Sequence, residues 1–261
     1  MTDLTANRRA HVCALLVVLS GLFVLPSLAW AGGSGGAGLG GSTSSGSASS
    51  GTSSSSSTSG PVSASGDGIT LHTSASTILR SGLSFSGTAA SAAGRTIEIE
   101  RLGHQTNWQW TPTVTTTVAP DGSFTATWST NHIGRFSIRA IVVQSGSAST
   151  ASAAPTLTVT VYRSSLATLY GPGFYGHRTA CGQRLTRTTI GVASRTLPCG
   201  MKVAVLYRGR TMVVPVIDRG PYANRADWDL TMAAGKALRV SGTSRIGAVS
   251  LPQAPVAAAA S

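Results

Sequence analysis

The chain runs to 261 residues, and 20 Lys and Arg against 8 Asp and Glu give it a formal net charge of +12 at pH 7. Such basicity suits an anionic partner, although part of it can be plain solvated surface. The longest apolar run, Val12 to Leu25, falls short of the ~20 residues that span a bilayer, so stable membrane insertion is not expected.

That run reads as a secretory signal. Arg8 and Arg9 precede it, Pro26 breaks it, and Ala29-Trp30-Ala31 supplies a small-x-small cleavage pattern before Gly32. An uncleaved anchor is the alternative, and the arginine pair leaves the Sec and twin-arginine routes both open. Loss of residues 1–31 removes two positive charges and one negative (Arg8, Arg9 and Asp3), lowering the net charge from +12 to +11. Export to the cell envelope argues against nucleic acid as the partner and for anionic wall polymers or the lactyl carboxylates of peptidoglycan.

Residues 32–66 are almost wholly Gly, Ser, Thr and Ala. They bury too little apolar surface to offset ordering entropy, so they read as a disordered tether. Residues 67–162 change character. Alternating runs at Ile69–His72, Leu83–Ser86, Thr96–Glu100, Thr115–Val118, Phe124–Trp128, Phe136–Ala140 and Leu157–Val161, separated by turn signals such as Asp121-Gly122, predict about seven strands. Their density suggests an immunoglobulin-like β-sandwich. Trp108 and Trp110, two apart, are expected on one sheet face, where they could stack on sugar rings or serve as a satellite of the core.

Residues 163–251 predict a small closed barrel. Leu166–Tyr170 leads into the glycine-rich Gly171–Gly176. A hairpin then runs from Val203–Tyr207 through Arg208-Gly209 to Thr211–Ile217, where Pro215 cannot donate to a ladder and implies a bulge or an edge. A short helix is expected from about Leu230 to Arg239, with Leu230, Ala233, Ala234, Ala237 and Leu238 on one face. Gly235 within it should cost about 1 kcal/mol against alanine. A last strand, Ile246 to Leu251, precedes a disordered tail at 252–261. Cys13 leaves with the signal; Cys181 and Cys199 remain, and an oxidising compartment permits one pairing between them, free buried thiols being the alternative. The whole reads as an all-β, monomeric, exported chain with no metal and no cofactor.

The barrel region carries a series of motifs in a fixed order. They are Tyr170-Gly171-Pro172-Gly173-Phe174-Tyr175-Gly176, Thr179-Ala180-x-Gly182, Arg195-Thr196-Leu197-Pro198-x-Gly200, Val216-Ile217-Asp218-Arg219-Gly220-Pro221-Tyr222 and Asp229-Leu230-Thr231. This series resembles the rare lipoprotein A (RlpA) family over residues 165–251 and not over the sandwich. The resemblance implies a six-stranded double-psi β-barrel and endolytic lytic transglycosylase activity on denuded peptidoglycan strands. Cys181 and Cys199 fall at the variable positions of two of these motifs.

Lytic cleavage needs a proton on the glycosidic oxygen and, afterwards, removal of the proton from the muramoyl C6 hydroxyl that closes a 1,6-anhydro ring. One carboxyl group can do both, because the nucleophile belongs to the substrate; ordinary glycosidases need two. Residues 163–251 hold three acids, Asp218, Asp227 and Asp229. Asp218 is the candidate acid/base, or else a ligand of turn amides beside Arg219. Asp229 is the supporting or alternate acid, or else a helix-start residue complementing the dipole. Asp227 reads as surface. Tyr170, Phe174, Tyr175, His177, Gln183, Ser194 and Arg219 are candidates for binding the glycan, the aromatics by stacking and Arg219 by steering a carboxylate.

Gln183 and Ser194 stand where the family usually has Glu and His. Neither can carry a proton near neutral pH as those residues do. A non-catalytic, expansin-like wall-binding module therefore remains a competing expectation. A third is a secreted interaction factor whose working part is the sandwich.

Overall fold

A computed structural model of the chain describes residues 57–143 and 153–255. The signal segment, most of the tether and the end of the tail lie outside the described residues. Among the described residues no helix is long and apolar enough to cross a membrane.

The first strands are β1 (Ser57–Thr58), β2 (Pro61–Gly66), β3 (Ile69–Ser74), β4 (Ser76–Ile78) and β5 (Gly82–Thr88). They are followed by β6 (Thr96–Leu102), β7 (Thr111–Thr117), β8 (Ser123–Ser129), β9 (Gly134–Val142) and the long β10 (Thr156–Tyr170). One sheet is ordered β2-β3-β5-β8, and the facing strands run β7-β6-β9-β10, with β4 parallel on β10. Alternation along each strand sends Leu71, Phe85, Phe124 and Trp128 of the first sheet inward against Ile97, Ile99, Phe136, Ile138 and Val159 of the second. This is a two-sheet sandwich around one core. All seven expected runs contribute to it. β2 lies in the stretch read as tether: its Val62 and Ala64 pack on the core while its serines alternate outward.

Trp108 and Trp110 do not share a sheet face, because both precede β7. Trp108 sits in a left-handed turn, and Trp110 lies under the Arg139 guanidinium at 4.3 Å. Arg139 is itself paired with Glu100, so Trp110 is covered rather than offered to a ligand.

β10 joins the two halves. Its first part pairs with β9, and its last part pairs with strands of the barrel. Those strands are β11 (Val192–Ala193), β12 (Lys202–Tyr207), β13 (Arg210–Asp218), β14 (Trp228–Thr231) and β15 (Ser244–Ser250). The order β14-β11-β13-β12-β15-β10 closes on itself through a parallel β10–β14 pairing, so the barrel has six strands and no free edge. Val192, Val203, Val205, Val214, Val216, Leu230 and Ile246 fill it. Arg208 and Gly209, both at positive φ, make the tight hairpin turn that matches strand twist. The expected irregularity near Pro215 lies just beyond it: β11 pairs with Val216 and then skips to Asp218.

The helix α1 (Met232–Leu238) starts two residues later than expected, since Leu230 belongs to β14. Its cap is Thr231, whose side chain accepts from the Ala234 N–H. Gly235 is a packing requirement as well as a propensity cost: a Cβ there would come within 2.6 Å of Leu169 Cδ2.

Candidate active site

The strand ends of the barrel bring the candidate carboxylates to one level. Ala193 on β11 is the register partner of Asp218 on one side and of Asp229 on the other. The two acids are thus two strands apart, about 10 Å between backbones at about 4.8 Å per strand. Both are half-buried, so neither is sealed in the interior.

Asp229 lies on the wall of a groove of about 280 Å³ that opens at the barrel mouth, with Thr168, Tyr170, Phe174, Tyr222 and Asn224 around it. It does not cap the helix, since Thr231 does that. Its Oδ1 accepts instead from Thr168 Oγ1 at 2.9 Å. Burial raises its pKa most, the nearby Asp218 charge raises it further, and the Thr168 bond works the other way. Asp229 therefore holds its proton to higher pH than an ordinary aspartate.

Asp218 is anchored differently. Its Oδ1 accepts from the backbone N–H of Arg219 at 2.8 Å and of Ala180 at 2.9 Å. The turn-amide role weighed for it is realised, yet its charge still reaches the groove. Tyr170, 9% exposed, has a hydroxyl with no hydrogen-bond partner among the described residues. Its pKa is pushed up, first by burial and then by Asp218 and Asp229. A neutral phenol donor thus sits within electrostatic range of both carboxylates.

The other candidates divide. Phe174, 59% exposed, stands edge-on to Tyr170 at the groove. Tyr175 packs behind it, against the cluster of Leu185, Ala193 and Ile217, with Arg187 over its ring. His177 and Gln183 are exposed on the 176–189 loop, away from the groove lining. Ser194 is buried, and its Oγ accepts from the Leu197 N–H, which makes it a turn brace. Arg219 does not pair with the Asp218 carboxylate: its guanidinium reaches the Ser194 carbonyl and Cys199 Sγ. Asp227, although exposed, is not idle surface. Its Oδ2 accepts from the Leu166 N–H and latches β10 beside β14. Among the described residues no cluster of three or more His, Cys, Asp or Glu could hold a metal.

Cys181 and Cys199 form a disulfide that closes an 18-residue separation. It ties the loop bearing Ala180 to the turn before β12, and the Cys181 N–H donates to the Ile217 carbonyl. The bridge thereby fixes one of the two amides that hold Asp218.

Sequence reasoning missed Thr168, Tyr222 and Asn224 of the groove lining. Tyr222, 79% exposed, is the most solvent-exposed large hydrophobic of the described chain. Its loop is held by Arg195, whose Nη1 donates to the carbonyls of Pro221 and Ala226. Thr168 was hidden inside an apolar strand. The signal for Tyr222 was its place directly after the Asp218-Arg-Gly-Pro turn; Thr168 became visible only through its register with Asp229.

Residues 163–250 match the family model described as "Lytic transglycolase". Over these residues the chain is similar to the RlpA-like double-psi β-barrel family. A Synechocystis sp. protein named "Probable endolytic peptidoglycan transglycosylase RlpA" is 38% identical over 96 residues, covering 36% of this chain and 30% of that protein. An Aquifex aeolicus protein of the same name is 42% identical over 74 residues, covering 28% and 33%. "Endolytic peptidoglycan transglycosylase RlpA" of Campylobacter jejuni is 35% identical over 85 residues, covering 31% of each chain. The chain spans about a third of the length of these RlpA relatives. A solved structure, "Streptomyces papain inhibitor (SPI)", aligns at 29% identity and a TM-score of 0.29 over 34% of this chain and 93% of its own.

Proposed function

We propose that the chain is an exported cell-envelope lytic transglycosylase that cuts peptidoglycan glycan strands at the mouth of the barrel. The observation that carries this reading is Asp229: a half-buried carboxyl with a raised pKa, on the wall of an open groove whose rim carries two exposed aromatics. The names of the RlpA relatives support the substrate class.

In this reading Phe174 and Tyr222 receive sugar faces, where aromatic rings offer large apolar contact at low conformational cost. Asp229 gives its proton to the glycosidic oxygen as the C1–O bond breaks. The positive charge that develops at the ring is stabilised by the Asp218 carboxylate, held in place by its two amide donors. The muramoyl O6 then attacks C1, and its proton returns to Asp229. No water is consumed, and one carboxyl serves as acid and then as base. Asp218 was the first candidate for that role on sequence; its two backbone bonds and the burial of Asp229 favour the reverse assignment.

The positions of Gln183 and Ser194 support a second reading. Gln183 is exposed on a loop and Ser194 braces a turn, so neither replaces a proton carrier, and a binding-only barrel follows if the family's Glu and His are indispensable. Incubating the mature chain with amidase-treated sacculi separates the two. Release of soluble glycan fragments is expected. Tight binding with no fragments would overturn the lytic reading and leave the binding module standing.

A further inference from the structure

A second cavity, of about 460 Å³, lies where the sandwich meets the barrel. The sandwich contributes Trp108, Gln105 and Arg135, and the barrel contributes Lys202 and the segment Leu251–Gln253. No Asp or Glu lines it, and Arg135 and Lys202 are both exposed. We infer that this cleft is a second binding site for a carboxylate-bearing glycan, with Trp108 as the platform for a sugar ring and Arg135 and Lys202 as partners for the carboxylate.

The backbone at Trp108 supports the assignment. Asn107 and Trp108 have φ values of 52° and 58°. Asparagine tolerates that region; a bulky aromatic rarely enters it, and such conformations persist where the surroundings over-determine them, often at ligand clamps. Here the turn is fixed on both sides. The Trp108 N–H donates to the Gly103 carbonyl at 2.9 Å, and Thr106 Oγ1 accepts from the Gly103 N–H at 3.0 Å. Gly103 lies so close to β9 that a Cβ would come within 2.7 Å of the Arg135 carbonyl. The turn that bears Trp108 is thus held against the strand that also carries Arg135, and both residues line the cleft. Trp110, by contrast, is covered by Arg139.

The cleft adjoins a second depression on the barrel flank. Ile133, Val249 and Ser250 line both the cleft and this depression of about 290 Å³, which includes Asp227 and Trp228, the residues just before Asp229. Identifying the glycan as one bearing muramic carboxylates rests on the proposed function; the aromatic and cationic character of the cleft does not.

The test uses the full chain in an Asp229→Asn background, so that ligand is not consumed. The probes are a soluble octasaccharide of alternating N-acetylglucosamine and N-acetylmuramic acid, and a neutral N-acetylglucosamine octamer. Trp108→Ala and Lys202→Glu should each weaken the acidic octasaccharide about tenfold or more, and Trp108→Phe should retain most of the affinity. The neutral octamer should lose affinity with Trp108→Ala but not with Lys202→Glu. Unchanged affinity in Trp108→Ala, with the fold intact by circular dichroism, overturns the inference. Equal response of both probes to Lys202→Glu overturns the carboxylate part. If the unmodified chain cuts no glycan yet binds through Trp108, the lytic reading fails and this site stands. If it cuts normally and Trp108→Ala binds as before, this site alone fails.

Discussion

Replacing Asp229 by Asn should lower glycan cleavage about 10²- to 10⁴-fold, the usual worth of a positioned general acid, while sacculus binding persists. The amide can still accept from Thr168 Oγ1, so the groove keeps its shape and loses only the transferable proton. The pH profile of the unmodified chain gives a finer check. A group that must start protonated sets a falling limb, and the burial of Asp229 moves that limb above the ordinary aspartate range. Asp218→Asn removes a neighbouring negative charge and should shift the limb to lower pH. Thr168→Val removes the bond that favours the ionised form and should shift it to higher pH. Opposite shifts are the signature; a limb that ignores both variants would place the essential proton elsewhere.

Stability follows the same sign. A carboxyl whose folded pKa is raised favours the folded state below its unfolded pKa and loses that contribution as pH rises through the folded value. Asp229→Asn should therefore match the unmodified chain in acid and be slightly more stable near neutrality, because the ionised, half-buried group is gone. Chemical denaturation at two pH values reads this directly.

Removing the disulfide should have the largest structural effect. Closing a loop of this size is worth about 3 kcal/mol in the chain-entropy model, or roughly 6–12 °C in Tm for a chain of this length. The consequence reaches the site, because Cys181 adjoins Ala180, whose N–H holds Asp218. Cys181→Ser with Cys199→Ser should lower the denaturation midpoint and also reduce turnover at temperatures where the barrel remains folded. A lower midpoint with unchanged turnover would show that the bridge braces the barrel without positioning Asp218.

The sequence carried the barrel well because its cues are local. The Arg208-Gly209 turn, the apolar alternation of β12 and β13 and the stop after Leu238 each follow from short-range geometry. The site was legible in part. Asp218 and Asp229 stood out as two of three acids, and Phe174 as an aromatic in a glycine-rich turn. The proposed division of roles between the acids was not legible, because it rests on register: Thr168 meets Asp229 only through a parallel pairing across about 60 residues of chain. Ser194 and Arg219 looked like ligand-binding groups; Ser194 is buried and braces a turn, and the half-buried Arg219 guanidinium reaches the Ser194 carbonyl and Cys199 Sγ. The strand at Pro61–Gly66 hid inside a Gly/Ser/Thr-rich stretch because only Val62 and Ala64 mark its inner face.

The claim that a single carboxyl acts through the substrate's own hydroxyl is tested most directly by cutting denuded glycan strands in water enriched in oxygen-18. Mass spectrometry of the new termini should find 1,6-anhydromuramic ends free of the label. Reducing ends that carry oxygen-18 would mean that water is the nucleophile, and the account given for Asp229 would be wrong.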